Sequence, residues 1–415
     1  MAMPFRQTTL WHSSTLAMRV RCLCQLLSRS QSSYQTSIIQ RKFRSTVASR
    51  SLIPNFAFAF DIDGVLLRSS RALPGASESL QLLQKENIPF VLLTNGGGMH
   101  ETERTAQLSE RLHIPLDADM IVQSHTPFAE LVKDNEEQDS LRDKCVLVVG
   151  GVGGKCRAVA QRYGFKSVVT PGDVFSSHPE IWPFSDAFND FYRRFTTPLP
   201  RKIDAVDPSK SLKVDAILVF NDPRDWALDI QFIIDILLSS QGIVGTYSPK
   251  NNNPDLPNRG YQQDGQPPLY FSNPDLLWSA QYHHPRLGQG GFKAALEGVW
   301  AAITNGASLK TTVIGKPCEL TYRFAEKRLN LGREKMFGTQ DLQPLEAVYM
   351  IGDNPESDIR GANSYESPIG TKWNSILVKT GVYSDGKPAW PPKIIVDGVK
   401  QAVEWGLMQS RWPRS

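Results

Sequence analysis

The sequence has few cysteines and no long apolar runs. Five cysteines are scattered over 415 residues, and this odd, dispersed set does not form the disulfide framework of a small secreted protein. We therefore expect a protein of a reducing compartment. No run of about 18 apolar residues occurs, so the sequence predicts no membrane span. The length allows two or three domains with ordinary hydrophobic cores.

Acidic residues are absent from residues 1–50, where eight Lys and Arg residues lie among Ser, Thr and Leu. This composition is typical of a mitochondrial transit peptide, so we expect a disordered leader and a mitochondrial protein, with the matrix as its compartment. Arg19 and Arg21 interrupt the stretch Leu16–Leu27, which argues against a secretory signal. A basic tail without a targeting function is the alternative. The remaining residues have a net charge of −4, which gives no reason to expect nucleic-acid binding.

Short apolar runs alternate with helical patterns along the rest of the chain. Phe56–Phe60, Phe90–Leu93 and Val146–Val149 have the pattern of strands that are buried on both faces of a parallel sheet. Ser77–Glu86, between the first two runs, has the apolar spacing of a helix. This alternation predicts a doubly wound, Rossmann-like α/β domain whose first part occupies residues 51–169.

The pattern changes after residue 169. Residues 171–200 are rich in Pro, Phe and Trp, and we expect the aromatic side chains of Trp182–Tyr192 to belong to a core. A strand at Ala216–Phe220 and a strongly apolar helix at Trp226–Leu238 follow. We therefore predict an inserted α/β cap domain over residues 170–305. The first domain resumes over residues 306–415, and its remaining strands are predicted at Val313-Ile314, Ala347–Ile351 and, last in the core, Ile376–Val378.

Polar side chains follow four of the apolar runs that we assign to the first domain. They are Asp61 and Asp63 after the first run, Thr94 after the second, Lys316 after Val313-Ile314, and Asp353 after Ala347–Ile351. Because ligands of open parallel sheets bind beyond the carboxyl ends of the strands, we expect these side chains to converge. Carboxylates, a hydroxyl and an ammonium group can together hold a divalent cation and a phosphate.

These motifs resemble those of the haloacid dehalogenase superfamily. Asp61–Gly64 is similar to the first motif, Thr94 to the second, Lys316 to the third, and Gly352-Asp353-Asn354 with Asp358 to the fourth. The large insert between the second and third motifs resembles subfamily IIA, whose cap is an α/β domain of the C2 type. The leader and the length of the insert are most similar to the mitochondrial cat eye syndrome critical region protein 5 family. The superfamily resemblance covers about residues 55–390.

The resemblance implies a magnesium-dependent phosphohydrolase with catalytic residues at the end of the first strand. Asp61 would attack phosphorus and form an aspartyl-phosphate. Asp63 would protonate the leaving oxygen and then accept a proton from the attacking water. Lys316 would offset negative charge on Asp61 and on the phosphoryl group.

The resemblance also implies the residues that bind phosphate and metal. Thr94, Asn95 and Gly96, together with Lys316, would hold the phosphate oxygens. The Mg²⁺ ion would be bound by Asp61, Asp63 and Asp353, with Asp63 contributing its backbone carbonyl. Supporting positions would be Asn354 and Asp358.

Several functions and features stay open at this point. The substrate is expected to be a small phosphorylated metabolite, and a homodimer through the cap is a further expectation. A non-catalytic magnesium- and phosphate-binding protein linked to mitochondrial glycerophospholipid or nucleotide metabolism is the alternative, and phosphotransfer to an acceptor other than water is another. The glycine loop Gly150–Lys155 lacks the spacing of a nucleotide-binding loop, so it is interpreted as a turn of the fold. His283-His284 is interpreted as a loop pair. Ser272–Asp275 resembles a Thr-Asn-Pro-Asp element of subfamily IIA caps, and two interpretations of Asp275 stay open: it points toward the active site, or, as we favour, it caps the turn.

Overall fold

A computed structural model describes residues 53–134, 139–184, 188–204, 206–278, 280, 282–338 and 342–413. The chain divides into two units. One comprises Met1–Leu52 and Asp134–Asp139, of which only Asp134 and Asp139 are described, so the predicted leader lies outside the described residues. The other comprises Ile53–Lys133 and Ser140–Ser415 and contains every element below. No helix in the described part of the chain is long and apolar enough to cross a membrane.

The strands and helices alternate along the chain. The strands are β1 Phe56–Phe60, β2 Leu67–Arg68, β3 Arg71–Ala72, β4 Phe90–Leu93, β5 Ile121–Val122, β6 Cys145–Val149, β7 Ser167–Val169, β8 Ala216–Val219, β9 Leu269–Phe271, β10 Leu277–Trp278, β11 Arg286–Leu287, β12 Thr312–Val313, β13 Ala347–Gly352, β14 Lys372–Val378 and β15 Ile394–Val396. The α-helices are α1 Ala76–Lys85, α2 Glu101–Leu112, α3 Lys155–Tyr163, α4 Pro171–Ser177, α5 Asn189–Arg193, α6 Trp226–Leu238, α7 Gln289–Ile303, α8 Glu319–Phe337, α9 Arg360–Ser364 and α10 Val399–Gln409.

The core sheet has six parallel strands in the order β15-β14-β13-β1-β4-β5. Its central strand β1 has the sequence FAFAF, and all five residues are buried. Alternate side chains point to opposite faces of a strand. The three phenylalanines pack with apolar residues of α1 and α10, whereas Ala57 and Ala59 pack on the other face with residues of α8. Helices therefore cover both faces of the sheet, as its continuous apolar strands require.

The chain changes direction across the core sheet next to β1. From β1 it runs outward through β4 to β5, and it later returns to β13 on the opposite side of β1 and runs outward to β15. The point at which the strand order reverses in a doubly wound sheet leaves a crevice at the carboxyl ends of the strands. Here that crevice lies between the ends of β1 and β13.

A second parallel sheet has five strands in the order β12-β9-β8-β6-β7. Its core contains large aromatic side chains from β9, α6 and α7, among them the fully buried Phe271, Phe232, Phe292 and Trp300. The second domain is thus an α/β layer structure like the first. The predicted fold class, a doubly wound α/β core with an inserted α/β cap, is confirmed.

The predicted domain boundaries need correction. Val146–Val149 does form a strand, but that strand belongs to the cap sheet, where it pairs with β7 and β8. The segment around Val313 likewise pairs with β9 of the cap sheet. The cap therefore begins before residue 170 and ends after residue 305. Both sheets are parallel and buried on both faces, so an apolar run shows that a segment is a strand but not which sheet it joins.

Two smaller predictions about the fold are also wrong. The last strand of the core sheet is Ile394–Val396, which pairs with β14 at the edge of the sheet, rather than Ile376–Val378. Within Trp182–Tyr192, the side chains of Phe184 and Phe188 are exposed to 78% and 50%, so they are not part of a core. Aromatic content alone did not distinguish a buried segment from a surface one because the segment has no periodic pattern.

Candidate active site

The carboxyl end of β1 holds the first two candidate residues. The backbone N–H of Asp61 donates to the carbonyl of Ile351 at 2.9 Å, which continues the pairing of β1 with β13 by one residue. The Asp61 side chain is thereby fixed at the crevice, and it is only 7% exposed. Gly64 has a φ of +98°, and a Cβ there would lie 2.5 Å from Oδ2 of Asp353. Glycine is required at this position because φ is positive and because any side chain would collide with Asp353 of the fourth motif.

Lys316 connects the first motif to the fourth. Its Nζ lies 2.6 Å from Oδ1 of Asp61 and 2.6 Å from Oδ1 of Asp358, and the side chain is fully buried. Burial opposes the charged form of the ammonium group, but Asp358 and Asp61 outweigh it and raise the pKa of Lys316. Lys316 is therefore a permanent buried cation between two carboxylates.

Asp353 and Asp358 complete a buried acidic cluster with Asp61. One carboxylate oxygen of each lies within 4.8 Å of those of the others. Asp358 sits on a single π-helical turn, Pro355–Ile359, and its Oδ2 accepts hydrogen bonds from the backbone N–H groups of Asp353 and Asn354 at 3.1 and 3.0 Å. Oδ2 of Asp353 accepts from the N–H of Val382 at 2.6 Å. Each carboxylate is thus oriented by backbone or lysine donors.

The acidic cluster carries more negative charge than its surroundings neutralise. Burial raises the pKa of Asp353 well above its usual range, and the charges of Asp61 and Asp358 raise it further. Burial also raises the pKa of Asp358 to about 6, against the opposing effect of Lys316. Three buried carboxylates beside one ammonium group leave excess negative charge that a divalent cation can neutralise. The hard oxygen ligands are the type that Mg²⁺ prefers, so the residues present fit this ion.

The loop after β4 turns around Thr94 and fixes Lys316 through Asn95. Oγ1 of Thr94 accepts a hydrogen bond from the N–H of Gly96 at 2.9 Å. Oδ1 of Asn95 accepts from the backbone N–H of Lys316 at 2.8 Å, and its Nδ2 donates to the backbone carbonyl of Lys316 at 2.9 Å. A Cβ on Gly96 would lie 3.5 Å from Oδ2 of Asp63, so the Asp63 carboxylate faces this loop. The loop therefore positions both Lys316 and the space next to Asp63.

Asp63 is half-buried in the same cavity. Burial raises the pKa of its carboxyl, and the positive charges of Arg104, Lys316 and Arg111 oppose that rise. A raised pKa favours a carboxyl that can give up a proton. The side chain of Asp63 is not part of the acidic cluster of Asp61, Asp353 and Asp358.

Asp275, which the sequence led us to interpret as a structural turn residue, lies at the site. Its Oδ2 accepts a hydrogen bond from Nδ2 of Asn95 at 3.0 Å, and it lines the cavity that contains Asp61. Burial raises the pKa of Asp275 to about 7. The hydrogen bond joins the end of strand β9 in the cap sheet to the loop after β4 in the core sheet. The contact favours the alternative that Asp275 points toward the site over the turn-capping interpretation that we preferred, and its partner lies 180 residues away in the sequence.

The cavity around these residues has a volume of about 240 Å³ and is lined by residues of both the core and the cap. Sequence reasoning missed several of the residues that line it, among them Arg104 of α2, Asn221, Asp222 and Arg224 after β8, and Leu277 and Trp278 of β10. A signal for three of them was present, because the apolar run Ala216–Phe220 ends in the polar turn Asn221-Asp222-Pro223-Arg224. That turn follows a strand in the same way as the core motifs do.

The glycine loop and the histidine pair lie outside the chemistry described here. The N–H of Gly151 donates to the carbonyl of Asp222 at 3.1 Å, so the Gly150–Lys155 loop packs against the turn that faces the cavity. His283 and His284 are exposed, and their rings are tilted against each other with centroids 4.1 Å apart. Among the described residues, only Asp61, Asp353 and Asp358 form a group with metal-binding spacing.

Family models match two parts of the chain. Residues 58–166 match haloacid dehalogenase-like hydrolase, and residues 313–402 match a second model of the same type, HAD-hydrolase-like. A cardiolipin synthase (CMP-forming)/mitochondrial hydrolase fusion protein of Schizosaccharomyces pombe is 40% identical over 370 residues. The match covers 88% of this chain and 56% of that relative, so the chain spans little more than half of the fusion protein's length.

A second relative matches over nearly its whole length. A mitochondrial hydrolase of Saccharomyces cerevisiae is 38% identical over 384 residues, which cover 88% of this chain and 98% of the relative. Among solved structures, a possible sugar phosphatase of the HAD superfamily from Cytophaga hutchinsonii has a TM-score of 0.54 with 16% identity and covers 84% of this chain and 96% of that one. This likeness supports the fold. The family motifs converge at the end of β1, and the Saccharomyces cerevisiae relative is 38% identical over nearly its whole length. We therefore conclude that the chain is an enzyme of the haloacid dehalogenase-like hydrolase family.

Proposed function

We propose that this enzyme is a magnesium-dependent phosphatase that acts on a small phosphorylated metabolite through an aspartyl-phosphate at Asp61. One observation carries the proposal. At the carboxyl end of β1, the buried Asp61 carboxylate lies 2.6 Å from the buried Lys316 ammonium. The Asp63 carboxyl lines the same cavity. Asp353 and Asp358 line it as well, and they form with Asp61 an acidic cluster of metal-binding spacing. A nucleophile, an acid, a phosphate ligand and a cation site are thus in reach of one another.

Asp61 is suited to attack a phosphorus atom. Its Oδ1 is held by Lys316, which fixes the side chain in one orientation. The attack forms a bond from an Asp61 oxygen to phosphorus and breaks the bond from phosphorus to the leaving alcohol oxygen. The Lys316 ammonium lies next to the place where negative charge gathers on the phosphoryl oxygens, and it stabilises that charge without having to move.

Asp63 is suited to exchange the proton. Its raised pKa supports a protonated carboxyl that gives its proton to the leaving oxygen. The resulting carboxylate then takes a proton from the water that hydrolyses the aspartyl-phosphate. The position of its carboxylate against Gly96 supports a proton exchange beside the loop that would bind phosphate.

The cation and the phosphate have separate sets of ligands in this proposal. Asp61, Asp353 and the backbone carbonyl of Asp63 would hold Mg²⁺, with Asp358 supporting the site through the backbone of Asp353. The ion would supply charge neutralisation between the carboxylates and the phosphate. The hydroxyl of Thr94 and the amides that follow it would bind phosphate oxygens, with Asn95 holding the loop to Lys316.

Phosphate release from p-nitrophenyl phosphate tests the proposal. The wild-type chain, Asp61→Asn and the surface control Asp397→Asn are assayed with Mg²⁺ and with a chelator. We expect turnover that requires Mg²⁺, is abolished in Asp61→Asn and is unchanged in Asp397→Asn, whose side chain lies on the surface. Turnover in Asp61→Asn at the wild-type rate would refute the mechanism. Mg²⁺ binding by a folded wild type without turnover on any phosphate would support a binding protein instead.

A metabolite panel then addresses the substrate. The Schizosaccharomyces pombe relative is named as a fusion with a cardiolipin synthase, so phosphates of glycerophospholipid metabolism belong in the panel. Sugar and nucleotide phosphates are the comparison classes. The compound with the highest kcat/KM identifies the substrate class, because specificity is a ratio of kcat/KM values.

We also propose that the enzyme acts in mitochondria. The support is the acid-free leader of residues 1–50 and the naming of two relatives as mitochondrial. A fusion of residues 1–55 to a fluorescent protein tests the location. Co-localisation with a mitochondrial marker is expected, and a cytosolic signal would contradict the proposal.

A further inference from the structure

A β-hairpin borders the mouth of the active-site cavity. Its antiparallel strands β10 and β11 lie in the sequence segment Leu276–Leu287, of which the structure describes residues 276–278, 280 and 282–287. The segment starts directly after Asp275, the cap residue that contacts Asn95. Leu277 and Trp278 line the same cavity as Asp61. The hairpin surface is therefore continuous with the site.

The hairpin exposes an unusual amount of apolar surface. Leu276, Tyr282 and Leu287 are 54%, 54% and 59% exposed, and Leu277 and Trp278 are 39% and 41% exposed. Single exposed apolar residues are normal on protein surfaces, but a contiguous group of them marks an interaction site. Five such residues in one hairpin at a cavity mouth therefore need a partner surface.

Arg286 gives the hairpin one formal charge at neutral pH, and that charge is positive. The segment Leu276–Leu287 contains Arg286, His283 and His284 but no Asp or Glu. The Arg286 guanidinium lies 4.6 Å from the ring centroid of Tyr282, which holds the charge beside the apolar surface. The other exposed aromatic group, Trp182–Phe195, differs in this respect because it contains two Asp and two Arg residues. The hairpin is therefore complementary to a partner that is apolar and negatively charged.

We propose that the hairpin Leu276–Leu287 docks the mouth of the active site onto an anionic lipid surface. Leu and Trp side chains enter the boundary of the acyl chains, and Tyr and Trp rings favour the headgroup level. Arg286 pairs with lipid phosphates in the same plane. A single hairpin of this size gives reversible, salt-sensitive binding, because stable anchoring needs a larger apolar segment or two signals.

A second copy of the chain fits the hairpin less well than a lipid surface does. In a two-fold symmetric contact centred on the hairpin, the same patch of both copies meets, so the positive charges of both Arg286 side chains would lie in one contact. Like charges in such a contact repel each other, and the hairpin has no acidic residue to compensate them.

The size of the cavity agrees with docking at its mouth. A volume of about 240 Å³ is below the range of roughly 300–1,000 Å³ that encloses drug-sized ligands. The bulk of a larger molecule would extend past the rim and over Leu277 and Trp278. Resting on the proposed function, this arrangement presents phosphates at a membrane surface to Asp61.

Vesicle co-sedimentation of the full chain tests the docking. The probes are vesicles of phosphatidylcholine alone and of equal parts phosphatidylcholine and phosphatidylglycerol. The test variant is Leu276→Glu with Leu287→Glu, which changes two exposed residues outside the cavity lining. The matched control is Val206→Glu with Met408→Glu, which makes the same charge change at side chains that are 95% and 63% exposed.

We expect the wild type to bind the anionic vesicles, to bind phosphatidylcholine weakly, and to dissociate in high salt. Partitioning of the test variant to anionic vesicles should fall by about tenfold or more, while the control keeps wild-type binding. Absence of wild-type binding, equal binding to both vesicles, or an equal loss in the control would overturn the proposal. A wild-type dimer that the test variant converts to monomer would also overturn it and would assign the hairpin to a subunit contact.

Hydrolysis of p-nitrophenyl phosphate by the same proteins separates the two proposals. The soluble compound does not need a membrane, so the test variant should keep wild-type turnover. Lack of turnover in every protein, together with the expected vesicle binding, would contradict the phosphatase function and leave the docking supported.

Discussion

Replacement of Lys316 by methionine should destabilise the fold strongly in the absence of magnesium. Methionine has a similar length, so the substitution removes the charge and its hydrogen bonds with little change in packing. Asp61, Asp353 and Asp358 then remain buried within 4.8 Å of one another without a cation. Removal of one partner from a buried ion pair costs about 3–5 kcal/mol in general, and Lys316 pairs with two carboxylates.

Proton uptake limits the size of this effect. Burial raises the pKa of Asp358 to about 6 in the wild type, so its protonation at pH 7 costs only about 1.4 kcal/mol. Without Lys316, which lowers this pKa, the carboxyl holds its proton to a higher pH. A carboxyl whose pKa is higher in the folded than in the unfolded state lowers the stability of the protein as the pH rises from the unfolded-state pKa to the folded-state pKa. The difference between wild type and Lys316→Met should therefore be smaller at pH 6 than at pH 8.

Urea unfolding followed by tryptophan fluorescence measures the effect in a chelating buffer. Lys379→Met is the matched control, because Lys379 pairs with Asp397 at 2.8 Å on the surface, with both side chains well exposed. The control should keep the wild-type midpoint, since exposed ion pairs contribute little. Saturating Mg²⁺ should reduce the loss in Lys316→Met, because a bound ion stabilises the native state and replaces the missing charge. A loss equal to that of the control, or one that does not depend on pH, would refute the reasoning.

Three further substitutions test other parts of the structure. Gly64→Ala should lower the free energy of unfolding by at least about 1 kcal/mol and weaken Mg²⁺ binding in calorimetry, because φ is +98° and the new Cβ would crowd Asp353. Asp275→Ala should lower kcat/KM for p-nitrophenyl phosphate by about tenfold, because the Asn95 side chain loses its carboxyl hydrogen-bond acceptor, and an unchanged value would remove Asp275 from the site. Trp300→Ala should lower the free energy of unfolding by about 3–5 kcal/mol, because it leaves a cavity in the cap core. The control Val299→Ala changes the neighbouring, exposed side chain and should have little effect on that free energy.

The strands were predictable from sequence because each is a short, continuous apolar run. Phe56–Phe60, for example, is buried on both faces, and no polar residue interrupts it. Sheet membership was not predictable by the same means. Val146–Val149 pairs with cap strands, and a strand of the same composition could equally have paired with the core sheet. Pairing depends on long-range register, which one apolar run does not encode.

The site residues divide along the same line. Asp61 and Lys316 could be predicted because each follows an apolar run inside a recognisable motif, and the structure brings them to 2.6 Å from each other. Asp275 could not be assigned from local sequence, since its contact with Asn95 spans two domains. A turn in isolation has no information about the partner that the fold places opposite it.

The two sheets are related in a way that explains why the cap contributes to the cavity. In the core sheet the strand order reverses between β1 and β13, and Asp61 and Asp353 follow those strands. In the cap sheet it reverses between β6 and β8, and the turn of Asn221 and Asp222 follows β8. Each doubly wound sheet forms its crevice at such a point. Because Asn221 and Asp222 line the same cavity as Asp61, the crevice of the cap sheet opens toward the crevice of the core sheet, where we propose that catalysis takes place. Substitutions at Asn221 or Asp222 should therefore change substrate preference and leave the chemistry at Asp61 intact, which a comparison of kcat/KM across the metabolite panel would measure.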